Sequence, residues 1–262
     1  MEFKILSDAL LPAFRAEVDF DLATAVSAAQ KDKTPFEYFK FYNALASVYS
    51  SKIEGEEVEP DSYLKHKFMQ VEFQPDYTKK ADDLNAAYEM AETEDLTAEN
   101  LLKAHKLISA NLLRESQRGT LRKGPMFVMN EDDRIEYVAC RVELVKSEFE
   151  KLFEDIRLLI ETDLGLVEAF YYAAYIHLVF LKIHPMSDGN GRTARMLEKW
   201  FLAAILSNET ATAISLEKNY YRKKPQYYNN IRKIGLEYSE LDYSKSLDFL
   251  LMTVKMFEKK QK

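Results

Sequence analysis

The 262-residue chain is short of the residues that interrupt helices or staple chains together. Its 7 glycines fall well below the roughly 7% usual in globular proteins, and proline is equally scarce at 7. A chain with so few turn formers is expected to be mostly helix. Cys140 is the only cysteine, which excludes an intramolecular disulfide framework. Lys plus Arg number 36 against 43 Asp plus Glu, a net charge of −7, so the basic surplus of a nucleic-acid binder is missing. There is also no long uninterrupted apolar run. The most apolar stretch, 166–183, is broken by Glu168, His177 and Lys182 and reads as a buried helix, not a membrane span. Asp8, Glu17 and Asp19 keep the first twenty residues from reading as a signal peptide. The expectation is a single cytoplasmic domain with no membrane contact, and the 47% hydrophobic content supplies its core.

Apolar residues recur at helical spacing through most of the chain. The pattern predicts helices at 20–31, 35–54, 61–73, 79–92, 97–113, 142–162, 166–182, 191–206, 217–236 and 243–260, with Pro225 breaking or restarting the ninth. Thr97 is placed to cap the fifth. In the last, Leu247, Leu250, Leu251, Val254 and Phe257 form a stripe, and Lys255, Lys259, Lys260 and Lys262 suit a helix C-terminus. The exception is 125–138, where Met126–Val128 and Ile135–Val138 read as two short strands around a solvated tip, Asn130–Asp133. His177 reads as a hydrogen-bonded core residue, while His66 and His105 stand in no pattern.

Two of the seven glycines, Gly189 and Gly191, are separated by one residue, within His184-Pro-Met-Ser-Asp-Gly-Asn-Gly-Arg-Thr-Ala-Arg195. Pro185 ends the preceding apolar helix, and a new amphipathic segment starts near Gly191. The loop between them delivers glycines to a helix N-terminus, where unpaired backbone N–H groups and the helix dipole favour an anion. Arg192 and Arg195, three apart, share one helical face and can donate charge-assisted hydrogen bonds to phosphate. Asp188 offers a hard oxygen suited to Mg²⁺, and His184 can accept a proton near neutral pH.

This segment resembles the Fic family signature HxFx(D/E)GNGRxxR, with Met186 in place of the Phe. Met fills irregular apolar space, so Met186 is expected to anchor the loop in the core. The resemblance implies an all-α, Fic-like helical bundle with one short β-hairpin flap. It implies an enzyme that transfers AMP from ATP, with Mg²⁺, to a Ser, Thr or Tyr hydroxyl of a target protein and releases pyrophosphate. Carried over by position, His184 would be the base and Asp188 the metal ligand. Gly189, Asn190 and Gly191 would form the anion hole, Arg192 would bind phosphate, and Arg195 would hold the γ-phosphate. Kinase-like relatives carry Lys where this chain has Gly191, which disfavours that chemistry here.

Upstream, Ser50-Ser51-Lys52-Ile53-Glu54-Gly55 resembles the family's inhibitory motif (S/T)xxxE(G/N), in which Glu54 would pair with Arg195 and exclude the γ-phosphate. Tyr228, in the Tyr227-Tyr228 pair, is expected at the adenine. Phe127, Val128 and Tyr137 of the flap are expected to meet the target backbone or the base. The implied layout is an N-terminal region 1–60 with the inhibitory helix, a core at about 97–236 and a C-terminal helix at 237–262. Two alternatives remain open: a hydrolase that removes AMP, with Glu54 positioning water, and a non-catalytic nucleotide-binding regulator. A homo-oligomer is compatible with the sequence; a nucleic-acid partner is disfavoured by its charge.

Overall fold

A computed structural model describes residues 1–30, 37–73, 75–129 and 135–258. The helix ends expected within 31–36, the hairpin tip 130–134 and the last lysines, Lys259, Lys260 and Lys262, lie outside these residues. The fold is all-α with one two-stranded antiparallel sheet.

The centre is α8 (Leu166–Ile183), in which every side chain from Ala169 to Ile183 is buried. It is long and apolar enough to cross a membrane by composition, yet 83% of it lies inside the protein, as befits a core helix apolar all round. Its main packing partner is α9 (Asn190–Ile205), and α7 (Val142–Ile160) lies against both. On the other flank α3 (Tyr38–Ile53) packs against both α4 (Pro60–Met69) and α5 (Pro75–Ala91), and α5 packs in turn against α6 (Ala98–Ile108). Thr97 caps α6 by accepting the Asn100 N–H at 3.1 Å, as its position predicts.

Several expected boundaries move, each for a local reason. Two further short helices, α1 (Leu11–Glu17) and α10 (Asn208–Ala213), are too brief to show a period in the sequence. The helix expected at 217–236 divides at Lys223 into α11 (Leu216–Arg222) and α12 (Lys224–Arg232), with Pro225 in the first turn of the second. The helix expected at 243–260 is a correction. It forms only α13 (Leu247–Leu250), flanked by 3₁₀ turns at Tyr243–Lys245 and Leu251–Thr253. Side chains take the carbonyls a continuous helix would use: Asn230 Nδ2 donates to Asp248 O, Asn219 Nδ2 to Met252 O, and Thr253 Oγ1 to Leu250 O. The apolar stripe is nevertheless buried, with Leu250, Leu251 and Val254 in the core.

The hairpin pairs β1 (Phe127–Met129) with β2 (Ile135–Val138), in the register Phe127↔Val138 and Val128↔Tyr137, with a bulge between Val128 and Met129. An isolated hairpin is marginal, and here a third segment supports it. The Val138 N–H donates to Leu236 O at 2.8 Å, and Val138 bridges Glu237 in parallel. At the far end Asp155 of α7 is buried and accepts the backbone N–H groups of Lys4, Ile5 and Leu6, tying down the N-terminal segment.

Candidate active site

Helix α8 ends at His184, whose backbone is left-handed (φ +51°) while its N–H still bonds Phe180 O. Pro185 follows and forbids another helical turn. The loop then closes on itself. Asn190 Oδ1 accepts the Met186 N–H and its Nδ2 donates to Met186 O, both at 2.9 Å, so one side chain satisfies both backbone groups of the loop's middle. Asn190 thus clamps the loop, with one Nδ2 hydrogen and one Oδ1 lone pair committed to Met186. Met186 is fully buried and anchors the loop in the core. Gly189 caps α9 with φ +75°, a conformation costly for residues with a Cβ, and its carbonyl accepts both the N–H and the hydroxyl of Thr193.

Two residues outside the loop fix it from behind. Buried Arg122 donates to the His184, Gly124, Cys140 and Ile183 carbonyls, joining the end of α8 to the base of the hairpin. His105, buried on α6, donates from Nε2 to Asp188 O at 2.9 Å and accepts the Gly119 N–H on Nδ1. Sequence reasoning missed both, because their partners are backbone groups remote in the chain and no residue pattern marks them.

The His184 ring is held at one nitrogen. Nδ1 lies 2.7 Å from the Tyr137 hydroxyl and 3.2 Å from Leu181 O, whereas no described residue bonds Nε2. Burial pushes this imidazole down to about 4, with Arg122 adding to the fall and Glu54 opposing it. Asp188 is exposed; its Oδ1 accepts the Gly189 N–H at 2.6 Å, and Oδ2 bonds no described residue.

Opposite stands the C-terminus of α3. Ser50 and Glu54, one turn apart, face the same way. Arg195, fully buried, donates from Nε to Ser50 Oγ at 2.8 Å, from Nη2 to Ser50 O at 3.1 Å and Glu54 Oε1 at 2.6 Å, and from Nη1 to the Tyr227 hydroxyl at 3.4 Å. Burial raises the Glu54 carboxyl, but Arg195 and Arg192 outweigh it and hold the group below its ordinary value. Burial likewise opposes the Arg195 charge, and Glu54 more than restores it. Gly55 (φ +88°) ends α3: its N–H bonds Lys52 O and the Glu56 N–H bonds Ser51 O, a Schellman closure that explains why glycine follows the glutamate. The turn also delivers an unforeseen group. Glu56 Oε1 accepts from Arg192 Nη2 at 2.9 Å and from Lys80 at 2.7 Å, and Arg192 Nε is buried with no partner among the described residues. Both arginines of the loop therefore carry a glutamate. Gly191 makes room for the first, since a Cβ there would stand 2.3 Å from Glu54 Oε1.

Part of this set lines a cavity of about 690 Å³, whereas Asp188, Gly189, Asn190 and Arg192 are not in its wall. Its wall includes Glu54, His184, Gly191 and Arg195, with Tyr228, Pro225 and Ile231 of α12 and Val128 and Tyr137 of the hairpin. Phe127 is exposed and lies outside the wall. Tyr137 is buried and turned toward His184, not outward. Behind Arg195 runs a buried chain: Tyr220 donates to Glu198, Glu198 meets His177 Nδ1 at 2.6 Å, and His177 Nε2 lies 2.9 Å from the Tyr227 hydroxyl. His177 is thus a hydrogen-bonded core residue. Glu198, also missed, sits three residues after Arg195 on the same face of α9.

Residues 95–202 match the model of the Fic/DOC family. Among solved structures, a Fic family protein from Desulfovibrio desulfuricans superposes over 98% of this chain and 75% of its own, with TM-score 0.76 and 18% identity. A Fic-domain-containing signaling protein from Bacteroides thetaiotaomicron covers 89% of this chain and 92% of its own (TM-score 0.64, 18% identity). Fic-1 from C. elegans covers 95% and 72% (TM-score 0.64, 14% identity). At these identities the likeness is one of fold. No curated protein sequence matches the chain.

Proposed function

Residues 95–202 belong to the Fic/DOC family, and on that footing we propose that the chain is an autoinhibited protein adenylyltransferase, moving AMP from ATP to a hydroxyl side chain of a target protein. The observation that carries this reading is the shared cavity. One wall presents an imidazole whose Nε2 has no partner among the described residues, the other an arginine whose guanidinium is held by a carboxylate.

In this reading the Glu54 carboxylate stands where a phosphate oxygen would bond Arg195, because both compete for one planar fork of donors. The α9 N-terminus at Gly189–Gly191 supplies further donors for anionic oxygens, and Arg192 adds a positive charge beside it. Among the described residues no cluster of three or more His, Cys, Asp or Glu side chains could cage a metal ion. Mg²⁺ commonly takes one carboxylate plus substrate phosphates, and Asp188, exposed and with Oδ2 bonded by no described residue, would be the residue to hold it. When bound, the cation would neutralise charge on the phosphates. His184 Nε2 takes the proton of the target hydroxyl as its oxygen bonds the α-phosphorus and the bond to the pyrophosphate oxygen breaks. Tyr228, in the cavity wall with its hydroxyl 3.3 Å from Ile53 O, offers its ring to the adenine. Burial pushes the imidazole down to about 4, so in the ligand-free site the base is neutral at neutral pH and its Nε2 lone pair is available to take a proton.

The test is intact-mass measurement after incubation with ATP and Mg²⁺. Glu54→Gly should raise self-labelling by one AMP at least about tenfold, since a charge-assisted bond contributes about 1.5–3 kcal/mol. Adding His184→Ala should then lower it by about 10²–10⁴. If Glu54→Gly instead fails to release AMP from a protein already carrying it, while the parent chain releases it, Glu54 is part of the reaction, the sign expected of the hydrolase.

A further inference from the structure

Tyr137 stands apart from the rest of the hairpin. Ile135 is exposed, whereas Tyr137 is buried, with its ring edge-on to the His184 ring at 5.7 Å. Its hydroxyl is 2.7 Å from His184 Nδ1 and 3.2 Å from Leu181 O, and the same carbonyl is 3.2 Å from Nδ1. Three polar atoms thus form a triangle, and a carbonyl can only accept. If Nδ1 carried the lone pair and took the tyrosine proton, that lone pair would also face the Leu181 oxygen, which would lose both donors. With the proton on Nδ1 the conflict vanishes: Nδ1–H donates to the tyrosine oxygen, and the tyrosine O–H donates to Leu181 O. We propose that Tyr137 is the positioning residue of the His184 imidazole, fixing the proton on Nδ1 together with the Leu181 carbonyl and so leaving Nε2 the lone pair that faces the cavity.

The surroundings hold Tyr137 to this task. Its backbone is paired with Val128, and the next residue is fixed by Leu236 and Glu237 on the other side. Lys182, buried in the last turn of α8, lies 4.5 Å above the ring centroid and donates to Gly235 O at 3.2 Å. Arg122 and Glu54 are the other charged groups acting on the imidazole. Burial holds the phenol well above its ordinary value, so the hydroxyl stays a neutral partner, in contrast to the carboxylate that orients histidine in many triads. When Nε2 takes a proton, the Nδ1–H bond to the tyrosine oxygen becomes charge-assisted and shorter.

The inference rests on the proposed catalytic role of His184, but its first test does not need activity. In ¹⁵N-labelled full-length protein at neutral pH, long-range ¹H–¹⁵N spectra should show His184 as the Nδ1–H tautomer; a proton on Nε2 would overturn the assignment. Tyr137→Phe keeps the ring and removes the hydroxyl, and should move the two ¹⁵N shifts toward their mean as the tautomers mix. In the Glu54→Gly background the same change should lower kcat about tenfold, part of the acid–base contribution, while leaving the KM for ATP within about twofold. Unchanged kcat and unchanged ¹⁵N shifts in a folded Tyr137→Phe protein would sink the proposal. Absence of AMP transfer in Glu54→Gly itself would count against the functional reading, with the tautomer still decided by the spectrum.

Discussion

The loop 184–195 and the turn 50–56 meet across one cavity, but different bonds hold them there. Within itself the loop is tied by neutral hydrogen bonds over short sequence distances, such as Asn190 to both backbone groups of Met186 and Thr193 to Gly189, and Arg122 and His105 brace it from behind through its carbonyls. Within the turn, the helix-closing bonds of Gly55 and Glu56 are also local. Its grip on the loop is of another kind, made largely by Glu54 and Glu56 on Arg195 and Arg192, more than a hundred residues away. The loop is therefore built before any ligand arrives. The turn is held by charges that a phosphate can replace, as fits a removable plug. Exposure points the same way: the Arg195 side chain is 1% exposed and Glu54 29%, so solvent and ligand reach the pair from the glutamate's side.

This contrast can be broken or sharpened in order of expected effect. Asn190→Ala removes two buried hydrogen bonds and leaves both Met186 backbone groups unpaired. It should cost about 2–4 kcal/mol and lower Tm by several degrees. A change of under half a degree would show that the loop is not self-supporting. Glu56→Gln should act on ligand binding instead. Combined with Glu54→Gly, it should tighten ATP by roughly three- to tenfold in calorimetric titration, because Arg192 is freed of its competitor. No added gain over Glu54→Gly would confine the plug to one glutamate. Gly55→Ala is the mildest. A Cβ there meets nothing within 4 Å, so only the positive φ opposes it, a cost of about 1 kcal/mol in chemical denaturation that Gly55→Asn should largely avoid. Acid should also loosen the turn. The Glu54 carboxyl is held below its unfolded value, so its contribution is complete above about 4.5 and is lost as pH falls through the lower folded value, visible as hydrogen exchange spreading into the end of α3.

Much of this architecture is legible in the residues. The scarcity of glycine announces helices, the two clustered glycines mark the loop, and serine four residues before glutamate places both on one helical face. These are local signals, because periodicity, caps and turn chemistry depend on near neighbours. The last helix misleads for the same reason: its apolar stripe is local, whereas the Asn219 and Asn230 side chains that take its carbonyls come from α11 and α12.

By itself, then, the sequence determined which segments coil, where α8 must stop and which side chains could serve as base, anion donors and plug. Only the tertiary structure decided that Arg122 and His105 brace the loop, that Glu56 meets Arg192, and that Tyr137 turns inward onto the imidazole. The physical reason is reach. A hydrogen bond to a backbone carbonyl leaves no residue pattern, and an ion pair between distant segments exists only once packing of α3, α8 and α9 has brought their ends to one place.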